Sequence, residues 1–293
     1  MDYAQAIILG ILQGTTELFP VSSLGHSVIL PKLLGWDNIV ASQSASESFF
    51  LAFLVGLHVA TASALALFYW RDWVWIIDGV LSSLRSRRIE TADARLGWLL
   101  IVATIPAGIT GVLFEHAFRT IFAKPLLAAG LLFLNGLILL AGEWLRRRAE
   151  VRAVAAAHGL NAAGSRRLDT LEYREAGIVG VFQIGALLAG ISRSGITMVA
   201  GLVRGLDHED AARFSFLLAT PIIMAAGVYK LPDLVGPNNN GVLGQVLAGS
   251  VAAGIAAYVS VRFLSRYFTT RTLTPFAIYC LVAGGLAALR FGL

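Results

Sequence analysis

The chain has 293 residues, of which 57% are hydrophobic and 14% charged, and its mean hydropathy is +0.73. A soluble domain carries about 25% charged residues, so this balance excludes a water-solvated globular enzyme and makes the bilayer the expected solvent. The net charge of +5 falls in short loops between apolar runs, where it orients a chain in a membrane rather than binding nucleic acid.

The first apolar stretch, Ala4–Pro31, carries Glu17 near its middle. Three stretches without Asp, Glu, Lys or Arg follow: Phe49–Trp70, Gly97–Phe114 and Leu126–Gly142. A basic linker spans about 149–171, after which Ala176–Val203 carries Arg193. Three more charge-free stretches close the chain: Phe214–Tyr229, Val242–Val261 and Leu273–Leu289. A helix crosses the hydrocarbon with about 20 residues, so these six are the predicted spans, with kinks expected at Pro106 and Pro221. The single Cys280 excludes an internal disulfide. Met1-Asp2-Tyr3 lacks the basic flank and cleavage site of a signal peptide, so the chain is expected to be complete as it stands.

The two charged stretches differ from the other six. Each has 28 residues and is interrupted by Gly, Pro or Ser near its charge. A charge at mid-membrane costs about 2.5–3.5 kcal/mol on insertion scales and marks function. Broken backbone at that depth is tolerated only inside protein or beside a wet cavity. The stretches also resemble each other. At an offset of 170, Gly10-Ile11-Leu12-Gln13 meets Gly180-Val181-Phe182-Gln183, Val21-Ser22 meets Ile191-Ser192, Gly25 meets Gly195 and Ser27 meets Thr197. Three spanning candidates follow each. Internal repeat 1 therefore runs over about 1–148 and repeat 2 over about 172–293, within a single integral membrane domain, 1–293.

Loop charge decides how the broken stretches sit. If both turn back, 17 basic residues lie on one side and 5 on the other, leaving Arg193 out; if both cross, the ratio is 14 to 8. The first arrangement fits the positive-inside rule better. The predicted fold is an all-α polytopic membrane protein. It has six full transmembrane helices plus two re-entrant helical hairpins, arranged as an inverted-topology repeat with both termini outside the cytoplasm. Transporters also use inverted repeats with broken helices, which keeps a transporter or flippase for an anionic lipid or small anion as the rival reading.

The hairpins hold the candidate chemistry. The first reads Gln13-Gly-Thr-Thr-Glu17-Leu-Phe-Pro20-Val-Ser22-Ser23-Leu-Gly25-His26 and the second Ala189-Gly190-Ile-Ser192-Arg193-Ser194-Gly195-Ile-Thr197. Together they offer a carboxylate, an imidazole, a guanidinium, hydroxyls and glycine-flanked backbone. An arginine binds phosphate bidentately. Glycines let N–H groups approach oxyanions at a helix start, and a hydroxyl or water attacks with His or Glu handling the proton. Plainer readings stand beside these. Arg193 can pair with Glu17, Ser22 can cap a helix, and Ser192, Ser194 and Thr197 can bond neighbouring helices. Glu47, His116, Glu143 and Asp169 lie at span ends or in loops and are expected to be solvated. Arg146-Arg147-Arg148 reads as an anchor at the membrane edge.

Gln13-x-x-x-Glu17 followed by Pro20-Val-Ser-Ser-x-Gly-His26 resembles the first signature of the undecaprenyl-diphosphate phosphatases of the bacitracin-resistance type. Gly190-Ile-Ser-Arg-Ser-Gly-Ile-Thr197 resembles the second. His58-Val-Ala-Thr61, Phe214-Ser-Phe-Leu-Leu-Ala-Thr-Pro221 and Pro275-Phe-Ala-Ile-Tyr279 extend the likeness along nearly the whole chain. The resemblance implies hydrolysis of a polyprenyl diphosphate, recycling a lipid carrier for cell-wall synthesis and conferring bacitracin resistance. It implies a catalytic set of Glu17, Ser23, His26 and Arg193. Gln13, Ser22, Gly25, Gly190, Ser192, Ser194, Gly195 and Thr197 would bind substrate, and His58 would stand behind the site. It further implies a divalent cation, Mg2+ or Ca2+, with Glu17 as a ligand. The expected partners are the lipid substrate, membrane lipids and a second copy in a homodimer, with no nucleic acid. The expected location is the bacterial plasma membrane, with the site facing the periplasm or cell exterior. Three departures stand out: Gln13 where many members have glutamate, Ala189 for a common proline, and Leu24 for a common threonine.

Overall fold

The computed structural model describes residues 1–36, 39, 49–114, 124–156, 166–229 and 243–293, and the structure below is that of these residues. Glu47 and His116 lie outside them, as do residues 157–165 of the linker. The described residues form eleven α-helices and no strand. In chain order these are α1 (Tyr3–Thr16), α2 (Ser23–Leu33), α3 (Phe49–Phe68), α4 (Trp70–Ser86), α5 (Ala92–Leu113) and α6 (Pro125–Ala156), then α7 (Tyr173–Ile184), α8 (Arg193–Val203), α9 (His208–Tyr229), α10 (Leu243–Tyr267) and α11 (Thr274–Gly292).

Each of the six charge-free stretches sits in its own long helix: α3, α5, α6, α9, α10 and α11. Five of these are long and apolar enough to cross a membrane alone, and α3, 20 residues long, is followed directly by α4. The helices outrun the apolar stretches because a charge ends hydrophobicity, not helicity. At about 1.5 Å per residue, the 32 residues of α6 extend about 48 Å. That exceeds a hydrocarbon core of about 30 Å and leaves Arg146–Arg148 beyond it. Pro106 and Pro221 both lie within continuous helices, α5 and α9.

The chain turns by 84° between α3 and α4, so these two are not one straight span. Helix α4 has three faces. Ile76, Gly79 and Ser83 are buried, with Gly79 and Val80 against Ala94 and Gly97 of α5, and Trp98 Nε1 donating to Ser83 Oγ at 2.9 Å. Trp70, Val74, Ile77, Leu81 and Leu84 form an exposed apolar stripe. Arg71, Asp78 and Arg85 are exposed on the polar side.

Small residues set how closely the long helices approach. Gly10 of α1 lies against the Gly249 backbone of α10, and Gly180 of α7 against the Ala103 carbonyl of α5, leaving no room for a Cβ in either place. Gly284 of α11 meets the α6 backbone at Phe133 in the same way. Close backbone contact is how helices associate where lipid is as apolar as leucine. The outer faces carry large apolar side chains, for example Val251, Ile255 and Val259 on α10, each more than 60% exposed.

Both 28-residue stretches are broken helices. Helix α1 stops before Glu17 and α2 starts at Ser23. Helix α7 ends in a 3-10 turn at Gly185–Leu187 and α8 starts at Arg193. Helices α1 and α7 both start on a tyrosine, Tyr3 and Tyr173, again 170 residues apart.

Glu143 is not solvated as expected from its place at a span end. It is 3% exposed, and its Oε1 accepts from His208 Nε2 and from the Leu273 N–H, both at 2.7 Å. Because α6 continues past Gly142, Glu143 falls inside the bundle and ties α6 to the starts of α9 and α11. Asp169 is exposed as expected.

Candidate active site

The site forms where α2 and α8 begin. Both starts use the same local chemistry. Ser22 caps α2, its Oγ accepting from the Gly25 N–H at 3.3 Å, and Ser192 caps α8, its Oγ accepting from the Gly195 N–H at 3.1 Å. A serine in this position satisfies a donor that the first helical turn leaves open. Ser22 Oγ also accepts from the Gly190 N–H at 3.1 Å, which stitches one break to the other. The approach is close: a Cβ on Gly25 would collide with Gly190 Cα. Two backbone positions carry the strain of these turns, Ser22 at φ 70° and Gly190 at φ 114°.

Asn135, fully buried in α6, bridges the two breaks from behind. Its Nδ2 donates to the Pro20 carbonyl at 2.9 Å, and its Oδ1 accepts from the Ser192 N–H at 3.0 Å. Ser194 Oγ donates to the Phe19 carbonyl at 3.2 Å and lies 3.0 Å from Ser192 Oγ. Thr197 faces away from this junction: its Oγ1 donates to the Arg193 carbonyl at 2.7 Å and lies 2.7 Å from Ser215 Oγ of α9.

Glu17 stands at the centre. Its Oε1 accepts from Arg193 Nη2 at 2.7 Å. Its Oε2 accepts from Ser23 Oγ at 2.5 Å and from Gln13 Nε2 at 3.0 Å. His58 Nε2 of α3 lies 3.5 Å from the same Oε2. The carboxyl is almost completely buried and the guanidinium nearly so, with side chains 6% and 13% exposed. A buried charge is sustained only by a partner of good geometry, and here acid and base come from different halves of the chain. Two buried polar atoms of this group make no hydrogen bond among the described residues: Arg193 Nη1, a donor, and Gln13 Oε1, an acceptor.

The structure therefore gathers Gln13, Glu17, Ser23 and Arg193 into one bonded set. It differs from the sequence reading in three details. Of the two groups expected to handle a hydroxyl's proton, Glu17 accepts from Ser23 and His26 is bonded elsewhere. His26 Nδ1 meets the Ser22 carbonyl at 2.7 Å and its Nε2 meets Tyr279 Oη at 2.8 Å, with the two rings stacked 5.7 Å apart. The N–H groups of Gly25, Gly190 and Gly195, expected to face substrate, are each taken by a serine hydroxyl. His58, expected behind the site, touches its central carboxylate.

Sequence reasoning did not assign Asn135 or Tyr279 to the site. A lone amide in the apolar run Leu126–Gly142 was the available signal for Asn135. Tyr279 lay in a stretch whose likeness was noted without a role.

The arrangement can hold an anion and move a proton. A helix N-terminus favours negative charge, and two such ends meet here. A buried arginine has one donor to spare. A hydroxyl is already bonded to a carboxylate through which its proton can leave.

Comparison with known proteins bears on what that chemistry serves. The family model described as "Bacitracin resistance protein BacA" matches residues 6–286. A protein of Frankia alni named "Undecaprenyl-diphosphatase 2" is 55% identical over 100% of this chain and 99% of its own. Proteins named "Undecaprenyl-diphosphatase" from Mycolicibacterium paratuberculosis and Mycobacterium avium are 60% and 59% identical over 97% of this chain and 96% of theirs.

Proposed function

The chain belongs to the bacitracin resistance protein BacA family, and from that premise we propose how its two broken helices hydrolyse undecaprenyl diphosphate to the monophosphate and inorganic phosphate. It is an integral, multi-pass membrane phosphatase, and its reaction returns the lipid carrier to cell-wall synthesis. Resistance to bacitracin follows as the general property of the family.

One observation carries the mechanism: the Ser23 hydroxyl donates to Glu17 Oε2 while Arg193 holds Oε1 and keeps Nη1 unpaired. Arg193 Nη1 takes a non-bridging oxygen of the terminal phosphoryl group, while Ser192 and Ser194 hold the turn that presents Arg193. Ser23 Oγ attacks the terminal phosphorus, and its proton passes to Glu17 Oε2. The bridging P–O bond breaks, and the departing lipid monophosphate takes that proton from Glu17. A water then attacks the phosphoserine, Glu17 receiving its proton and returning it to Ser23 as phosphate leaves. Positioning and charge neutralisation supply most of the rate, as is general for phosphoryl transfer. Gln13 holds Glu17 in place, and His26 braces the start of α2 through the Ser22 carbonyl and Tyr279.

The residues present fit a divalent cation. Glu17 offers a buried carboxylate oxygen, and Gln13, whose Oε1 has no partner among the described residues, can bring that oxygen to it by turning over its amide. When bound, Mg2+ or Ca2+ would neutralise charge on the diphosphate, whose oxygens and water complete the shell.

In the membrane, α1–α2 and α7–α8 are re-entrant hairpins entering from opposite faces, and α3, α5, α6, α9, α10 and α11 cross. The 170-residue offset between the halves and the 17-to-5 distribution of basic residues support this inverted repeat. It leaves both termini outside the cytoplasm and the pocket open to the periplasm or cell exterior, with the prenyl tail in lipid.

Rapid acid quench of enzyme mixed with a polyprenyl diphosphate labelled in its terminal phosphate tests the nucleophile. A labelled phosphoserine lost in Ser23→Ala is the expected result. Near-normal turnover by Ser23→Ala would instead make the attacking group a water activated by Glu17. Saturable lipid movement by purified protein that releases no phosphate would favour the transporter. Labelling single cysteines from each side, in a Cys280→Ser background, tests the topology.

A further inference from the structure

We propose that His58 is a nitrogen ligand, beside the Glu17 carboxylate, for the divalent cation of this site. The inference rests on the reading that a cation is held there, and it names a ligand that the sequence reading did not.

His58 Nδ1 lies 2.7 Å from the Leu54 carbonyl, one turn earlier in α3. A carbonyl only accepts, so Nδ1 carries a hydrogen, and it is Nε2 that faces the site and can offer a lone pair. That atom lies 3.5 Å from Glu17 Oε2. At that separation a positive charge belongs between the two atoms, either a proton on Nε2 or a cation that both atoms bind. A histidine whose far nitrogen donates to a backbone carbonyl is also the usual setting of a metal ligand, since that bond fixes tautomer and ring orientation.

The distances suit a cation. At a right angle, two bonds of about 2.1 Å, as for Mg2+, span about 3.0 Å, and two of about 2.4 Å, as for Ca2+, span about 3.4 Å. A third donor stands ready. Gln13 Nε2 now lies 3.0 Å from the same Oε2, and Gln13 Oε1 is buried without a partner among the described residues. Half a turn of the amide exchanges the two atoms. The carboxylate, the imidazole and the amide oxygen then converge, each from a different turn: Gln13 and Glu17 one turn apart at the end of α1, and His58 on α3. Phosphate oxygens and water complete the shell, as is common for cations that work on phosphate esters. A nitrogen in that shell favours divalent transition-metal ions over Ca2+, and Mn2+, which also accepts oxygen ligands, is the paramagnetic one suited to a probe.

Mn2+ is the probe, with the full chain in lipid nanodiscs. Electron spin-echo envelope modulation should show a nitrogen coupled to bound Mn2+. The coupling should change from the 14N to the 15N pattern in protein labelled with [15N]histidine, a measurement that needs no variant to fold. In His58→Gln the coupling should vanish and Mn2+ affinity fall by on the order of tenfold or more, with Ca2+ affinity changed less. Mn2+ bound without histidine coupling, or with coupling that persists in His58→Gln, overturns His58 as a ligand and leaves the cation reading intact. No Mn2+ bound to the wild type, with phosphate release indifferent to chelator, overturns both.

Discussion

The two broken helices share one frame and carry opposite loads. Ser22 and Ser192 cap their second helices through Gly25 and Gly195. Gln13 and Gln183 are both buried one turn before the break. At the same offset, however, Glu17 corresponds to Leu187, Ser23 to Arg193 and His26 to Ile196. The first hairpin holds the acid, the attacking hydroxyl and an imidazole; the second holds the guanidinium. A lone charge of either sign is costly at that depth. The shared frame lets each hairpin bring one sign, so that folding neutralises both, and Asn135 fastens the breaks from behind.

The comparison is broken most severely by removing one charge. Glu17→Ala and Arg193→Ala each should lower phosphate release on the order of 10³-fold and cost about 3–5 kcal/mol by leaving the other charge buried alone. Giving each position its counterpart from the other hairpin, in the double variant Glu17→Leu with Arg193→Ser, should recover most of the thermal stability in detergent while activity stays lost. A double variant as unstable as the sum of the singles would show that the pair does not hold the hairpins together.

Ser23→Ala separates chemistry from architecture. It should reduce kcat by roughly 10²–10⁴ with little change in melting temperature, because Glu17 keeps Arg193 and Gln13.

Asn135→Ala tests the fastening. It leaves the Ser192 N–H and the Pro20 carbonyl buried without their partner, at about 1–3 kcal/mol. Activity should fall together with stability, read from kcat and a melting curve on the same sample.

The turns give one effect of the same size and one smaller. Gly190→Ala places a side chain at φ 114° and against the Ala128 carbonyl, which should destabilise by about 1–3 kcal/mol. Ser22→Gly relaxes a strained φ but loses the cap and the bond from Gly190, so its net change should stay within about 1 kcal/mol. A larger loss for Ser22→Gly than for Gly190→Ala would reverse the assignment of where strain is stored.

Much of this was legible in the sequence because the bilayer imposes simple rules. Six charge-free runs each became part of a long helix, and both interrupted runs became broken helices, since apolar length and breaker residues are local properties. Helix α4 was missed, although Trp70, Val74, Ile77, Leu81 and Leu84 repeat at helical spacing; as a surface element it lacks the unbroken hydrophobicity that marked the others. Glu143 was misplaced because solvation was inferred from its position at the end of an apolar run, while α6 continues within the bundle past that point.

The apolar character of the chain, its long helices, the two breaks and the residue types beside them follow from composition, spacing and local backbone preference. Who touches whom depends on packing: Ser23 gives its hydrogen to Glu17 while His26 turns to Tyr279, and His58 and Asn135 reach the junction from α3 and α6. Those contacts join residues up to 253 positions apart. They arise from how closely glycine-lined helices pack, a property of pairs of helices that no single segment encodes.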